Sequence, residues 1–413
     1  MTVQGLPSLS RQPAFRSFYV PHFEVRIAGE VVPEAVIADV MQLTYKDNVR
    51  EIDSVDLTVN NWDSGGRARQ DAASRAGAQR FKYIGSETKD DLPGGRHPDR
   101  FATLFEPGRA RVEVWLGYVG QLRLVSTVNF TSLEPSFPSG GAPSLQVRGL
   151  NVLHSLRDTQ HSSSWVGQKP SAIAEQLAKL TDKGKKRIPW PLEIDRNAMK
   201  REVAIDYIAQ DNQHDVDFLL NLARRVGYEL IVVEPSQKAP RHLYFGPSKT
   251  AVRPADYELV WGETLMDFKP RLATAQQIAK VTVQGWDRRR KRPIKVTVDL
   301  NDAEVRRLNP DLQRLVKEAG GSETKIVEEP VFTEQEARQR ARAILLDNLR
   351  QMVTAEGTTV GLPDLRAGSR LMIAGVGARL SGEYFVLETT HSFGDSGYIT
   401  RFKARREDER GRP

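Results

Sequence analysis

A chain of 413 residues with 39% hydrophobic and 8% aromatic side chains, 31 glycines and 23 prolines is long enough for several packed units and too apolar for general disorder. It has no cysteine, which excludes disulfides and thiolate metal sites, and its start, MTVQGLPSLSRQPAF, lacks the apolar core of a signal peptide. No apolar run reaches the roughly 18 residues of a membrane span, so folding in a cytoplasm is expected, and the net charge of +7, from 60 basic residues interleaved with 53 acidic ones, reads as a mixed solvated surface without specific nucleic-acid binding.

After an N-terminal extension (1–18), alternation with the period of a half-buried strand begins at Phe23, Val25 and Ile27. It recurs at Val55, Leu57 and Val59, then at Ala110, Val112, Val114 and Leu116, and again at Leu122, Leu124 and Leu145 to Val147. Short strands with Gly/Pro punctuation predict an antiparallel β-barrel over 19–150, interrupted by a polar surface insertion at about 63–105.

From 151 the period becomes helical, and a middle α+β domain is expected over 151–270. Pro170 and Ser171 open a helix with Ile173, Leu177 and Leu180 on one face. A second helix follows from Asp211 to Gly227. Val216, Leu219, Leu220, Ala223 and Val226 make its apolar stripe, with Asp215 and Asp217 in the first turn, Arg224 and Arg225 in the last, and Gly227 at the cap. Two apolar runs, 228–233 and 243–246, complete this region.

Strand alternation returns at Val281 and Val283 and at Ile294, Val296 and Val298. A second barrel is expected over 271–405, with a partly helical insertion at about 302–350 in which Thr333 and Glu336 form a capping box, and a short tail at 406–413. The fold class is therefore α+β, mainly β. The two β-rich regions read as one barrel type used twice, although their mutual similarity is faint.

Reacting groups are scarce. Zincin, P-loop, dinucleotide and nucleophile-elbow motifs are absent, and the seven histidines show no metal-ligand spacing, so catalytic, metal and cofactor residues are assigned to none. Asp215 and Asp217 diverge on their helix and are explained by its dipole. The glycine-rich stretch 374–382 reads as a hairpin turn rather than a phosphate cradle. Basic runs occur at Lys183 to Arg187, at Arg288 to Arg292, and as Arg401, Lys403 and Arg405, which alternate with Phe402 and Ala404. That alternation puts three charges on one strand face, which meets solvent, a lumen or an acidic partner, and makes it a candidate interface.

The run from Tyr207 through Gln210, Asp215, Asp217, Phe218 and Leu219 to Gly227 and Tyr228 resembles the YxxQxxxSDxDFLxxLAxxxGY signature of the phage late-control D tail hubs, and of the N-terminal part of type VI secretion spike proteins. His214 replaces the common serine. Collinear blocks extend the resemblance over about 19–405: Phe105 to Gly108, Leu133 to Pro138, Gln284 to Asp287, Gly361 to Gly368, and Ser381 to Val386.

The resemblance implies two tail-tube-like barrels per chain and a homotrimeric symmetry adaptor, a baseplate hub joining a hexameric inner tube to a trimeric spike. It implies binding rather than catalysis. Implied partners are the tube protein, a separate spike polypeptide, since the sequence ends soon after the second barrel, and baseplate wedge or LysM-type adaptor proteins. The expected location is the baseplate of a phage virion or injection particle. A tail-associated cell-wall hydrolase, which needs a carboxylate pair in a cleft, and a DNA-binding protein, motivated by the pI of 9.4, are the alternatives.

Overall fold

The computed structural model describes residues 20–62, 81–85, 103–235, 240–248, 257–273, 277–307, 324–328, 330–395 and 397–407, with 314, 316 and 317. Most of the 63–105 insertion therefore lies outside the described residues, as do 1–19 and 408–413. The described part is mainly β with a smaller helical share, as the alternation predicted.

The first unit holds β1 (Pro21–Ile27), β2 (Glu30–Val31), β3 (Val40–Asn48), β4 (Ser54–Asn60), β5 (Arg111–Tyr118), β6 (Gln121–Ser136) and β7 (Ser144–Asn151), all antiparallel. Val55, Leu57, Val59, Val112, Val114 and Leu116 point from β4 and β5 into one core with Leu43, Tyr45 and Val147, while the residues between them face outward.

The middle unit pairs β8 (Gln160–Gln168) with β12 (Ile205–His214), and builds a second sheet, β11-β14-β13, from β11 (Leu192–Ile194), β13 (Glu229–Val233) and β14 (His242–Gly246). Between them β9 (Thr181–Asp182) and β10 (Lys185–Lys186) form a short hairpin. The helix Pro170–Lys179 starts on Pro170 as expected but ends before Leu180, which is extended and 37% exposed rather than on the helix face. In the helix Asp215–Val226 the buried stripe is Val216, Phe218, Leu219, Leu222 and Ala223; Leu220 and Val226, expected in it, are only partly covered. The core these helices share includes Trp165, Ile173 and Leu177.

The third unit comprises β15 (Tyr257–Val260), β16 (Leu265–Leu272), β17 (Lys280–Asp287), β18 (Arg292–Asp299), β19 (Thr324–Glu328), β20 (Val353–Val360), β21 (Arg370–Ala374), β22 (Gly382–Gly394) and β23 (Gly397–Arg406). The sequence boundary at 270 thus falls inside β16. β18, β17 and β19 form a separate sheet covered by the helix Glu334–Arg350. Within the insertion read as partly helical, β19 is a strand parallel to β17. Thr333 caps the following helix by accepting from Glu336 N–H at 3.1 Å, whereas the Glu336 carboxylate accepts from Phe332 N–H rather than closing the reciprocal half of the box.

The two β-rich units are joined edge to edge. Among the described residues no ladder closes on itself; thirteen strands of both β-rich units form one open sheet, with main path β16-β20-β23-β22-β3-β4-β7-β6-β5-β1-β2. The reason is β22. Its first half pairs with β21 and its second half, Glu388 to Phe393, pairs with β3, so one long strand serves both units. A small apolar cluster, Val49, Ile231, Tyr244, Ala367 and Phe385, fills the junction of all three.

Candidate functional site

The segment carrying the signature folds as strand β12 followed at once by the helix Asp215–Val226, and its polar residues form a lock at the joint. Asp215, only 2% exposed, accepts from Arg187 Nε at 3.0 Å and from a second Arg187 nitrogen, and from Gln210 Nε2 at 2.8 Å. Gln210 in turn accepts from Arg187 at 2.9 Å, and its amide also donates to the Gln213 carbonyl at 2.9 Å. Burial alone pushes the Asp215 carboxyl up; the hydrogen bonds from Arg187 and Gln210 and the Arg187 charge outweigh it and hold the group below the usual carboxylate range. Asp215 is therefore more than a dipole partner. It fixes the helix start to the residue after β10.

The remaining signature residues are structural as well. Asp217 pairs with Arg157 at 2.8 Å, and Phe218 stacks on Trp165 with centroids 5.0 Å apart. Leu219 is fully buried. Gly227 has φ +74°, the left-handed cap that disfavours other residues, and a Cβ there would lie 3.7 Å from Ala343 of the helix Glu334–Arg350. Tyr207 is exposed on β12, under the Arg288 guanidinium, which lies 5.6 Å from its ring.

A second polar centre joins the β-rich units. Arg366, in the collinear block Gly361 to Gly368, is buried and donates to Asp47 Oδ2 of β3 at 2.5 Å, to the Val125 carbonyl of β6 at 2.5 Å, and to the Tyr45 hydroxyl. Asp47 also accepts from Ala367 N–H at 3.0 Å. Burial disfavours the guanidinium, but the Asp47 charge beside it keeps it firmly protonated. Asp53, hydrogen-bonded to Asn151 at 2.7 Å, is pushed up to about 8 by burial and by the neighbouring Asp47 charge.

His391 of β22 completes this centre. Its Nε2 lies 3.0 Å from the Leu365 carbonyl, which only accepts, so Nε2 carries the proton and Nδ1 accepts from the Tyr398 hydroxyl at 2.9 Å. Burial and the Arg366 charge lower its pKa to about 3, which makes it a neutral structural imidazole. Gly361 is required by closeness: a Cβ there would lie 2.0 Å from the Tyr398 ring. The block Gly361 to Gly368 was visible in the sequence, but nothing local in it signals Asp47, 319 positions away.

The basic face of β23 divides. Arg401 and Lys403 are exposed, Lys403 beside Glu388 at 3.3 Å. Arg405 is on the same strand face but its side chain is 2% exposed, held by Glu229 of β13 at 2.9 Å and Glu407 at 2.7 Å and stacked 5.0 Å from Phe385. The expected three-charge outer face is therefore two charges, because the middle unit covers the end of the strand.

In both centres the charged groups are satisfied by one another and point into packed junctions, so what they do is position elements. Among the described residues no group of three or more histidine, aspartate or glutamate side chains is arranged to hold a metal ion, and no described helix is long and apolar enough to cross a membrane.

The fold matches solved structures over nearly its full length. A tail protein from Neisseria meningitidis MC58 is 14% identical, covers 94% of this chain and 97% of its own, and superposes with a TM-score of 0.60. The 43 kDa tail protein of prophage MuSo2 from Shewanella oneidensis, also 14% identical, covers 93% and 98% with a TM-score of 0.59. A type VI secretion component of E. coli, described as similar to phage T4 tail proteins, is 12% identical, covers 94% and 79%, and has a TM-score of 0.53. At these identities the likeness shows the fold. No significant relative was found among curated protein sequences. The model of the family described as Alg8 N-terminal domain matches residues 102–395, well over half of the sequence and parts of all three units, and the chain belongs to that family.

Proposed function

We propose that the protein is a structural component of a contractile phage tail or related injection machine, specifically a late-control D hub that forms a homotrimer and joins the inner tube to a trimeric spike. The observation that carries the reading is the full-length fold likeness to two tail proteins, together with the collinear signature of the Tyr207 to Tyr228 segment. The buried centres support it physically: both spend their charges on rigidity. In this reading the two β-rich units supply two tube-like positions per chain, so three chains present six to a hexameric ring and three to a spike. Its place is the baseplate of the particle, with wedge or LysM-type adaptor proteins around it, and it acts by binding, without catalysis.

Exposed apolar side chains give such an assembly contact material. Val20 and Val119 lie side by side, their backbones hydrogen-bonded at 3.1 Å, and Met266 stands on β16, the open edge of the large sheet. Light scattering of the full chain, alone and mixed with the tube and spike proteins of its own tail, tests the reading. A mass three times that of the chain, and a complex with both partners, is expected. A monomer that binds neither protein overturns it.

A further inference from the structure

The two β-rich units carry the same four-stranded ladder, down to its irregularities. In β3-β4-β7-β6, one row of facing residues is Gln42, Thr58, Gln146 and Glu134, and the next is Thr44, Asp56, Arg148 and Ser132. In β16-β20-β23-β22, the rows are Asp267, Thr358, Arg401 and Thr390, then Lys269, Glu356, Lys403 and Glu388. Both ladders slip in register at matching places. The first slip lies between Val40 and Gln42 in β3 and between Leu265 and Asp267 in β16; the second lies between Phe130 and Ser132 in β6 and between Val386 and Glu388 in β22. On this correspondence β3 matches β16, and β6 matches β22.

The two ladders differ only in what lies beyond them. After its slip, β22 pairs with β3 over Glu388 to Phe393. The matching half of β6, Ser132 to Ser136, has β7 on one side and no strand on the other among the described residues, because β5 ends opposite Asn129. The outer edge of β16, the match of β3, is likewise open at the end of the large sheet. One chain therefore contains one completed junction and the two separate halves of another. Their side chains are in keeping with this. Phe137 packs on Phe81 yet is 51% exposed, and Leu133, Phe268 and Leu272 are only partly covered. Glu134 and Arg271 are exposed, and neither has an ion pair among the described residues.

We propose that copies of this chain join through these two edges, residues 133–137 of one copy lying against 268–272 of the next in the register that joins β22 to β3. Within the chain, Thr390 faces Lys46 and Phe393 faces Leu43. The matching residues bring Glu134 to Arg271 of the next copy, and Phe137 to its Phe268. Pro135 falls opposite Pro270, a rung without N–H groups, so side chains carry this contact rather than an unbroken ladder; the same prolines deter pairing with unrelated strands. The contact runs head to tail, so each added copy offers the same free edges until the series closes. Only closure at three chains rests on the hub reading.

The chain has no cysteine, so introduced thiols report this contact alone. Facing residues of an antiparallel pair have Cα atoms about 4.5–5.5 Å apart, within disulfide reach, whereas diagonal neighbours at about 7–8 Å are beyond it. Full chains carrying Glu134→Cys or Arg271→Cys are oxidised at about 100 μM, enough to populate a contact of micromolar Kd. Each alone should remain a single chain on a non-reducing gel, their mixture should give a dimer, and the double variant a series ending at three chains. Ser136→Cys, two positions along the same edge, should crosslink to Arg271→Cys at least about fivefold less. In sedimentation, Glu134→Arg should weaken self-association at least about fivefold, and adding Arg271→Glu should restore it. No crosslink in the mixture, a crosslink within either single variant, or equal crosslinking by Ser136→Cys overturns the proposal. A trimer without the crosslink sinks this contact and leaves the hub reading standing; a crosslinked series that binds neither tube nor spike protein supports the contact and sinks the hub reading.

Discussion

The protein uses a buried arginine–aspartate pair twice, in different ways. Arg187 and Asp215 are 28 positions apart and fasten a helix to the strand hairpin beside it, inside one core. Arg366 and Asp47 are 319 positions apart and hold a loop of the last unit against β3 and β6 of the first. The chemistry is the same, but the first pair organises local structure and the second decides how distant parts of the chain sit together. Because burying a charge pair gains little over an apolar contact of equal shape, the role of both is better described as specifying geometry than as adding stability.

That distinction has measurable edges. Arg366→Leu leaves Asp47 buried without its cation and should cost about 3–5 kcal/mol, seen as a large fall in the urea midpoint; a loss under about 1 kcal/mol would mean that the junction reorganises around Asp47. A protonation test probes the same junction. His391 is neutral in the folded state, with a pKa of about 3 against an unfolded value near 6.5, so the unfolded chain binds more protons between these values. Its contribution is complete above pH 6.5 and should shrink by about 3 kcal/mol on going down to pH 4. Asp53, raised to about 8, acts with the opposite sign, favouring the folded state as pH falls from 8 toward 4. Comparison with His391→Gln isolates the histidine: the variant should show a flatter loss of stability between pH 6.5 and 4, and parallel curves would contradict the assignment.

The local lock should yield a smaller effect. In Asp215→Ala, Arg187 keeps its bond to Gln210, and a loss of about 2–3 kcal/mol is expected, confined by hydrogen exchange to the helix Asp215–Val226 and β12. Protection lost equally in the large sheet would erase the contrast between the two pairs. Smallest of all, Arg401→Gln with Lys403→Gln should change folding stability by less than about 1 kcal/mol, since the ion pair lost is the partly exposed Lys403–Glu388 contact. If the Arg401 and Lys403 face is an interface, the same variant should weaken assembly in a salt-dependent way.

What was legible in the sequence follows the same local-against-distant line. The helix and its left-handed cap at Gly227 were readable because period, end charges and cap lie within a dozen residues, although its expected start at Asp211 was four residues early: Asp211 to His214 end β12, and the helix is Asp215–Val226. Leu222 was not assigned to the stripe and Leu220 was, since which edge of an amphipathic helix is covered depends on the neighbours packed against it. Arg405 shows the same limit: alternation correctly put it on one face with Arg401 and Lys403, but not that β13 would bring Glu229 over that end of the strand. The merging of two expected barrels into one sheet rests on the pairing of β22 with β3, and no local pattern specifies a partner that far along the chain.

That pairing also sets an order of events during synthesis. Asn48 on β3 waits for Glu388, 340 positions later, to complete its ladder. At about 5–20 residues per second on the ribosome, the β3 edge stays open for roughly 20–70 s after it emerges. Open strand edges recruit other strands, so many nascent chains on one message are exposed to mispairing for that interval, and the yield of correctly folded protein should depend on expression rate and temperature more than its final stability would indicate.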